Sequence, residues 1–146
     1  MSVSGEAGDL FLSDQHPVSR RWAIVEDDGR SGWLYLSEPD STRVAAHCWL
    51  YNRIAAPEGR AFGRGDTPVV PAEFVLDPSP TPAPAADSVR LRWNAGGDGV
   101  AVWFDVELVG YILLPARAGH SRNLGKPGPF GSPLDRRAYA SAFAQG

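Results

Sequence analysis

The chain has 146 residues, 43% of them hydrophobic and 21% charged, with a formal net charge of −3. That length suits one domain with a real core, and the acidic balance speaks against the basic stripe of a nucleic-acid module. The single cysteine, Cys48, excludes an internal disulfide and a multi-cysteine zinc site.

No stretch approaches the roughly 20 apolar residues of a membrane span. The N-terminal sequence lacks a basic region followed by an apolar run, so a secretory signal is not expected. The 14 basic residues are all arginine apart from Lys126, which with the abundant Ala, Gly and Pro reads as coding bias rather than function. The expectation is a cytoplasmic single domain over 1–146, without cofactor, metal, nucleic-acid or membrane partner.

Residues 1–9 are small and polar and read as a frayed arm, which Leu10, Phe11 and Leu12 dock onto the core. His16-Pro17 marks an extended stretch. Residues 22–37, WAIVEDDGRSGWLYLS, read as a hairpin on a two-residue type I′ turn at Asp28-Gly29, with positive φ at both positions. That turn predicts Ile24 opposite Trp33, Trp22 opposite Tyr35, Ala23 opposite Leu34, and Val25 beside Gly32. Both faces are apolar, so a covered ribbon is expected, with Glu26, Asp27, Asp28 and Arg30 exposed at its tip.

Residues 43–51, RVAAHCWLY, alternate as a strand, with Val44, Ala46, Cys48 and Leu50 on one side and His47, Trp49 and Tyr51 on the other. A capped helix is the alternative, because Asp40-Ser41-Thr42 precedes two alanines. Residues 55–71 read as a loop and 73–76 as a short strand. Pro78, Pro80, Pro82 and Pro84 make residues 77–88 an extended spacer that cannot enter a central strand.

Residues 89–95 and 100–106 alternate as a second hairpin. A four-residue loop is expected to set Trp93 opposite Val102, Leu91 opposite Phe104, Arg92 opposite Trp103 and Arg90 opposite Asp105. Residues 108–114 extend it to a meander, with Gly110 leaving room for the Trp103 ring. After an irregular 115–131, Ser132 as cap, Pro133 at the first helical position and Asp135 predict a terminal helix. Its stripe of Leu134, Ala138, Tyr139, Ala142 and Phe143 should cover one sheet face. The fold expected is mainly β (α+β), an antiparallel meander sheet or small sandwich with that helix packed on it.

Chemistry is sparse. His47 and Cys48 point to opposite sides of a strand and cannot form a catalytic pair, so Cys48 is assigned to the core. His47, Trp49 and Tyr51 are the candidate pocket. The acids at 26–28 lack the spacing of a calcium loop. Gly96 to Gly99 join strand to strand and are not followed by the helix that phosphate binding needs. His16 and His120 fall in loops, His120 with Arg117 and Arg122 as a small basic patch. No catalytic motif is present, so no enzyme is expected.

VEDDGRSGWLYL (25–36), HCWLYN (47–52) and VRLRWNAGGDGVAVWFDVELVGYIL (89–113) together resemble a family of small bacterial proteins known only as a domain of unknown function. That family has an E-D-D-G-x-x-G-aromatic hairpin and, later, a W-x-x-D-G meander with an aliphatic next strand. The long proline spacer and residues 115–131 depart from the pattern. The resemblance carries no activity to particular residues, and it implies a partner of the kind met by proteins that neutralise secreted toxins. The leading expectation is a protein-binding module, an immunity protein whose Glu26, Asp27, Asp28 and Arg30 meet a basic toxin. The rivals are a small-ligand or enzymatic domain around His47, and a subunit of a larger assembly.

Overall fold

The computed structural model describes residues 10–57 and 69–144, and within them the chain is mainly β with one helix. Strands β1 (Leu10–Gln15), β2 (Trp22–Asp27), β3 (Ser31–Ser37) and β4 (Val44–Asn52) form an antiparallel sheet in sequence order. Strands β5 (Val89–Trp93), β6 (Gly99–Phe104), β7 (Glu107–Leu113), β8 (His120–Ser121) and β9 (Ser132–Pro133) form a second sheet. It is antiparallel except where β8 runs parallel to β9. The expected meander is therefore present twice, and helix α1 (Arg136–Ala142) completes the α+β pattern.

Period-2 alternation, interrupted in β7 by a bulge at Val109, puts Ala23, Val25, Leu34, Leu36, Ala46 and Cys48 of the first sheet against Val89, Val100, Val102, Val109 and Ile112 of the second. Each large aliphatic side chain among them contributes about 1.5–3 kcal/mol when fully buried. The sheets approach most closely at β4 and β7. A Cβ on Gly110 would lie 2.9 Å from Cys48 Sγ and 3.1 Å from the His120 carbonyl oxygen. Gly110 thus makes room for the opposite sheet, not for the Trp103 ring. The His47 N–H donates to the Arg117 carbonyl at 2.9 Å, and the His47 carbonyl accepts from the Gly119 amide at 2.8 Å. These bonds tie β4 to the chain entering β8.

Both hairpins are displaced by two residues from the expected pairing. Ala23 faces Leu36, Ile24 faces Tyr35 and Val25 faces Leu34. No type I′ turn forms, because Gly29 has φ 94° but Asp28 is not left-handed. Side-chain turns replace it: Asp27 Oδ1 accepts from the Gly29 amide at 2.8 Å, and Asp28 Oδ1 from the Arg30 amide at 3.0 Å. In the second hairpin Trp93 faces Val100, Leu91 faces Val102 and Arg90 faces Trp103. There Asn94 Oδ1 accepts from the Gly97 and Gly99 amides, both at 3.0 Å. An even displacement leaves every side chain on its expected face. It does, however, replace the Arg92–Trp103 and Arg90–Asp105 pairs.

Several boundaries also differ. Leu10, Phe11 and Leu12 open a true edge strand rather than docking a loose arm; residues 1–9 lie outside the described residues. Residues 72–74 form a 3-10 turn in place of the expected short strand, leaving a single bridge from Val75 to Leu124. Val106 is 85% exposed because Asp105, at φ 55°, turns the chain before it. Part of the irregular 115–131 supplies β8. Ser132 and Pro133 pair with β8, so the helix starts later, capped by Asp135, whose Oδ1 accepts from the Ala138 amide at 3.0 Å. Its predicted job stands: Leu134, Tyr139, Ala142 and Phe143 pack over Ala101, Leu108 and Tyr111 on the outer face of the second sheet.

Candidate binding face

The outer face of the first sheet brings the candidate residues together. Direct cross-strand pairing sets Phe11, Glu26, Trp33 and Trp49 in one row, and Ser13, Ile24, Tyr35 and His47 in the next. Phe11 is 67% exposed and Val44 50%, while Ile24, Tyr35 and His47 are half-buried. An open groove of about 420 Å³ crosses this face, lined by Trp33, Tyr35, Val44, His47, Pro129 and Phe130.

The alternation of 43–51 is interrupted twice. Leu36 faces Ala46 while Ser37 faces Val44, and Trp33 faces Trp49 while Gly32 faces Tyr51. The unopposed residues, Ala45 and Leu50, are β-bulges, and each reverses which side the following alternation serves. Val44 therefore joins the His47 face instead of the core. Tyr51 turns the other way, into the shared core, 1% exposed and edge-on to Phe104 at 6.0 Å. Trp49 stays on the His47 side but is covered by Val70 and Leu124, with its indole N–H donating to Asn52 Oδ1 at 3.0 Å.

The expected pocket of His47, Trp49 and Tyr51 is thus corrected: of the three, His47 lines the groove. Trp49 and Tyr51 border a separate polar cavity of about 130 Å³ beside Asn52, Ser79 and Asn123. The His47 ring meets the Trp33 indole edge-on at 5.6 Å, and burial lowers its pKa from 6.5. Cys48, on the opposite side, lies wholly in the core, where burial pushes its thiol up to about 12.

The acidic tip separates into two roles. Glu26 and Asp28 are exposed, as expected. Asp27 is not; it is 2% exposed, and its Oδ2 accepts from the Tyr51 hydroxyl at 2.8 Å. Arg53 Nη1 lies 3.1 Å from its Oδ1 and 3.0 Å from its Oδ2. A buried carboxylate needs such partners, and no local pattern in the chain signals that Tyr51 and Arg53 reach it. Arg30 is half-buried, with its Nε buried and unbonded among the described residues. The tip carboxylates consequently diverge, and no group of three or more His, Cys, Asp and Glu side chains converges among the described residues.

Glu26 and Asp28 nevertheless reach the aromatic face electrostatically. Burial first, then these two carboxylates, push the Tyr35 phenol up to about 12. The groove residues that sequence reasoning left to packing, Trp33 and Tyr35, were visible as alternate positions of β3. Pro129 and Phe130 were not, because they arrive from the irregular 115–131. The small basic patch at His120 also dissolves: its Nδ1 lies 2.8 Å from the Pro133 carbonyl and its ring stacks on Tyr111, while Arg122 pairs with Glu107. His16 does fall in a loop and is buried there, its Nδ1 accepting from the Val18 and Ser19 amides at 3.1 Å.

Among the described residues no helix is long and apolar enough to cross a membrane. No family model, curated protein or solved structure matches the chain.

Proposed function

We propose that this chain is a non-catalytic protein-binding module that docks its partner on the outer face of the first sheet. The observation that carries the reading is the row Phe11–Glu26–Trp33 beside the groove at Tyr35 and His47. Over the buried Trp33 it joins the exposed Phe11 and the half-buried Tyr35 and His47 to a carboxylate, the composition of an interface core with a charged margin. The partner is basic where it meets Glu26. By association with other small, acidic, non-catalytic bacterial proteins, that partner is a secreted toxin and this chain its cytoplasmic immunity protein.

The test is co-purification with the product of a neighbouring gene, followed by Phe11→Ser and Glu26→Lys. Both sites are exposed, so the fold should persist by circular dichroism while the complex weakens about tenfold or more, as for interface anchors. A complex that survives both changes would rule this face out. The rival reading, a small-ligand site, is favoured by the groove at His47 alone. Phe11 does not line that groove, so a ligand whose binding ignores Phe11→Ser but is lost on His47→Ala would decide for the rival.

A further inference from the structure

The outer face of the second sheet carries a different site. A groove of about 490 Å³ is lined by Arg90, Leu91, Arg92, Trp103, Asp105 and Val106. Arg92 is held in place from α1: its Nη1 donates to the Tyr139 hydroxyl oxygen at 3.2 Å, and its Nη2 to the Phe143 carbonyl at 2.8 Å. The Trp103 indole N–H also donates to the Tyr139 oxygen, at 3.2 Å. A phenolic oxygen has two lone pairs and one proton. Here both lone pairs are taken, and the proton has no acceptor among the described residues.

Arg90 stands directly opposite Trp103, and its guanidinium makes no hydrogen bond or ion pair among the described residues. A guanidinium carries five N–H donors, so Arg92 also retains donors beyond the two bonds that fix it. Unused donors therefore flank the indole ring from Arg90, Arg92 and Tyr139. Asp105 lies toward the β6–β7 turn, at the end away from Arg92, where it disfavours a second negative charge.

We propose that this groove binds a small aromatic ligand bearing one carboxylate or phosphate group. The anion is held by Arg90, Arg92 and the Tyr139 hydroxyl through charge-assisted hydrogen bonds, and the ring lies against Trp103 and Val106. The site is on the opposite sheet from the partner face and does not depend on that reading.

The full chain is titrated with benzoate, phenyl phosphate and the neutral benzamide, following the Trp103 indole N–H by NMR, its signal assigned by comparison with Trp103→Phe. At least one anion should move the signal saturably in the millimolar range while benzamide does not. Which anion binds more tightly separates a carboxylate site from a phosphate site. Arg90→Gln, an exposed change that leaves the packing intact, should weaken binding about threefold or more, whereas Glu26→Gln on the other sheet should not alter it. Benzamide matching the anions, no saturable shift with either anion, or an affinity unchanged by Arg90→Gln would overturn the proposal.

Discussion

The Asp27 carboxylate accepts hydrogen bonds from the Tyr51 hydroxyl, the Arg53 guanidinium and the Gly29 amide, and so fastens the β2–β3 turn to the end of β4. Removing the hydroxyl by Tyr51→Phe should cost about 1–3 kcal/mol in denaturant unfolding, since the acid stays buried with a partner missing. Asp27→Ala removes the acceptor of the Tyr51 hydroxyl, the Gly29 amide and the Arg53 Nη1 at once and should cost more than Tyr51→Phe. Equal costs would show that the carboxylate is not the hub of the network. Cys48 makes a second residue-scale prediction: with its thiol pushed up to about 12 in the core, iodoacetamide should label it only as fast as the chain unfolds. His47 makes a third. Burial holds its folded pKa below 6.5, so the unfolded chain takes up the proton first as pH falls. Its contribution is complete above pH 6.5 and is lost as pH drops below that value, and His47→Gln should flatten that part of the profile of denaturant midpoints.

At the scale of elements, the two bulges in β4 decide what the outer face of the first sheet contains. Leu50 carries Tyr51 inward, and Gly32 is what lets the ring lie there. A Cβ at position 32 would meet Tyr51 Cζ at 2.4 Å, nearer than any real contact. Gly32→Ala should therefore cost about 1–3 kcal/mol by overpacking. The cost should shrink in a Tyr51→Val background, and a double-mutant cycle measures the coupling. An additive cycle would refute the contact. Helix α1 depends on a cap that lies outside the predicted one. Asp135→Ala should lower stability by about 0.5–2 kcal/mol, whereas Ser132→Ala, now in β9, should not remove a helix cap.

For the whole molecule, the two sheets divide the surface. The first presents an aromatic face with Glu26 in its middle; the second is covered by α1 and leaves a groove lined by arginine. With a net charge of −3 and the basic partner proposed above, association should slow as salt is added, while dissociation changes little. Stopped-flow rates at several ionic strengths check this, and a salt-independent association rate would mean that charge does not steer the encounter.

What the sequence determined by itself is whatever period 2 controls. Alternation in residues 22–37 and 89–113 identified β2, β3, β5, β6 and β7 and most of the side chains that meet in the core. A register error of two residues left those assignments intact, because parity survives it. The stripe of Leu134, Tyr139, Ala142 and Phe143 likewise announced a helix covering a sheet. Tertiary structure alone decided the rest. Bulges at Ala45 and Leu50 changed the parity of β4, which no local pattern signals, and so moved Val44 onto the outer face and Tyr51 off it. The burial of Asp27 depended on Tyr51 and Arg53, more than twenty residues away in sequence. Phe130 and Pro129 completed the His47 groove from a segment without periodicity. Contacts between distant residues are fixed by how the sheets pack, and alternation within one strand does not encode them.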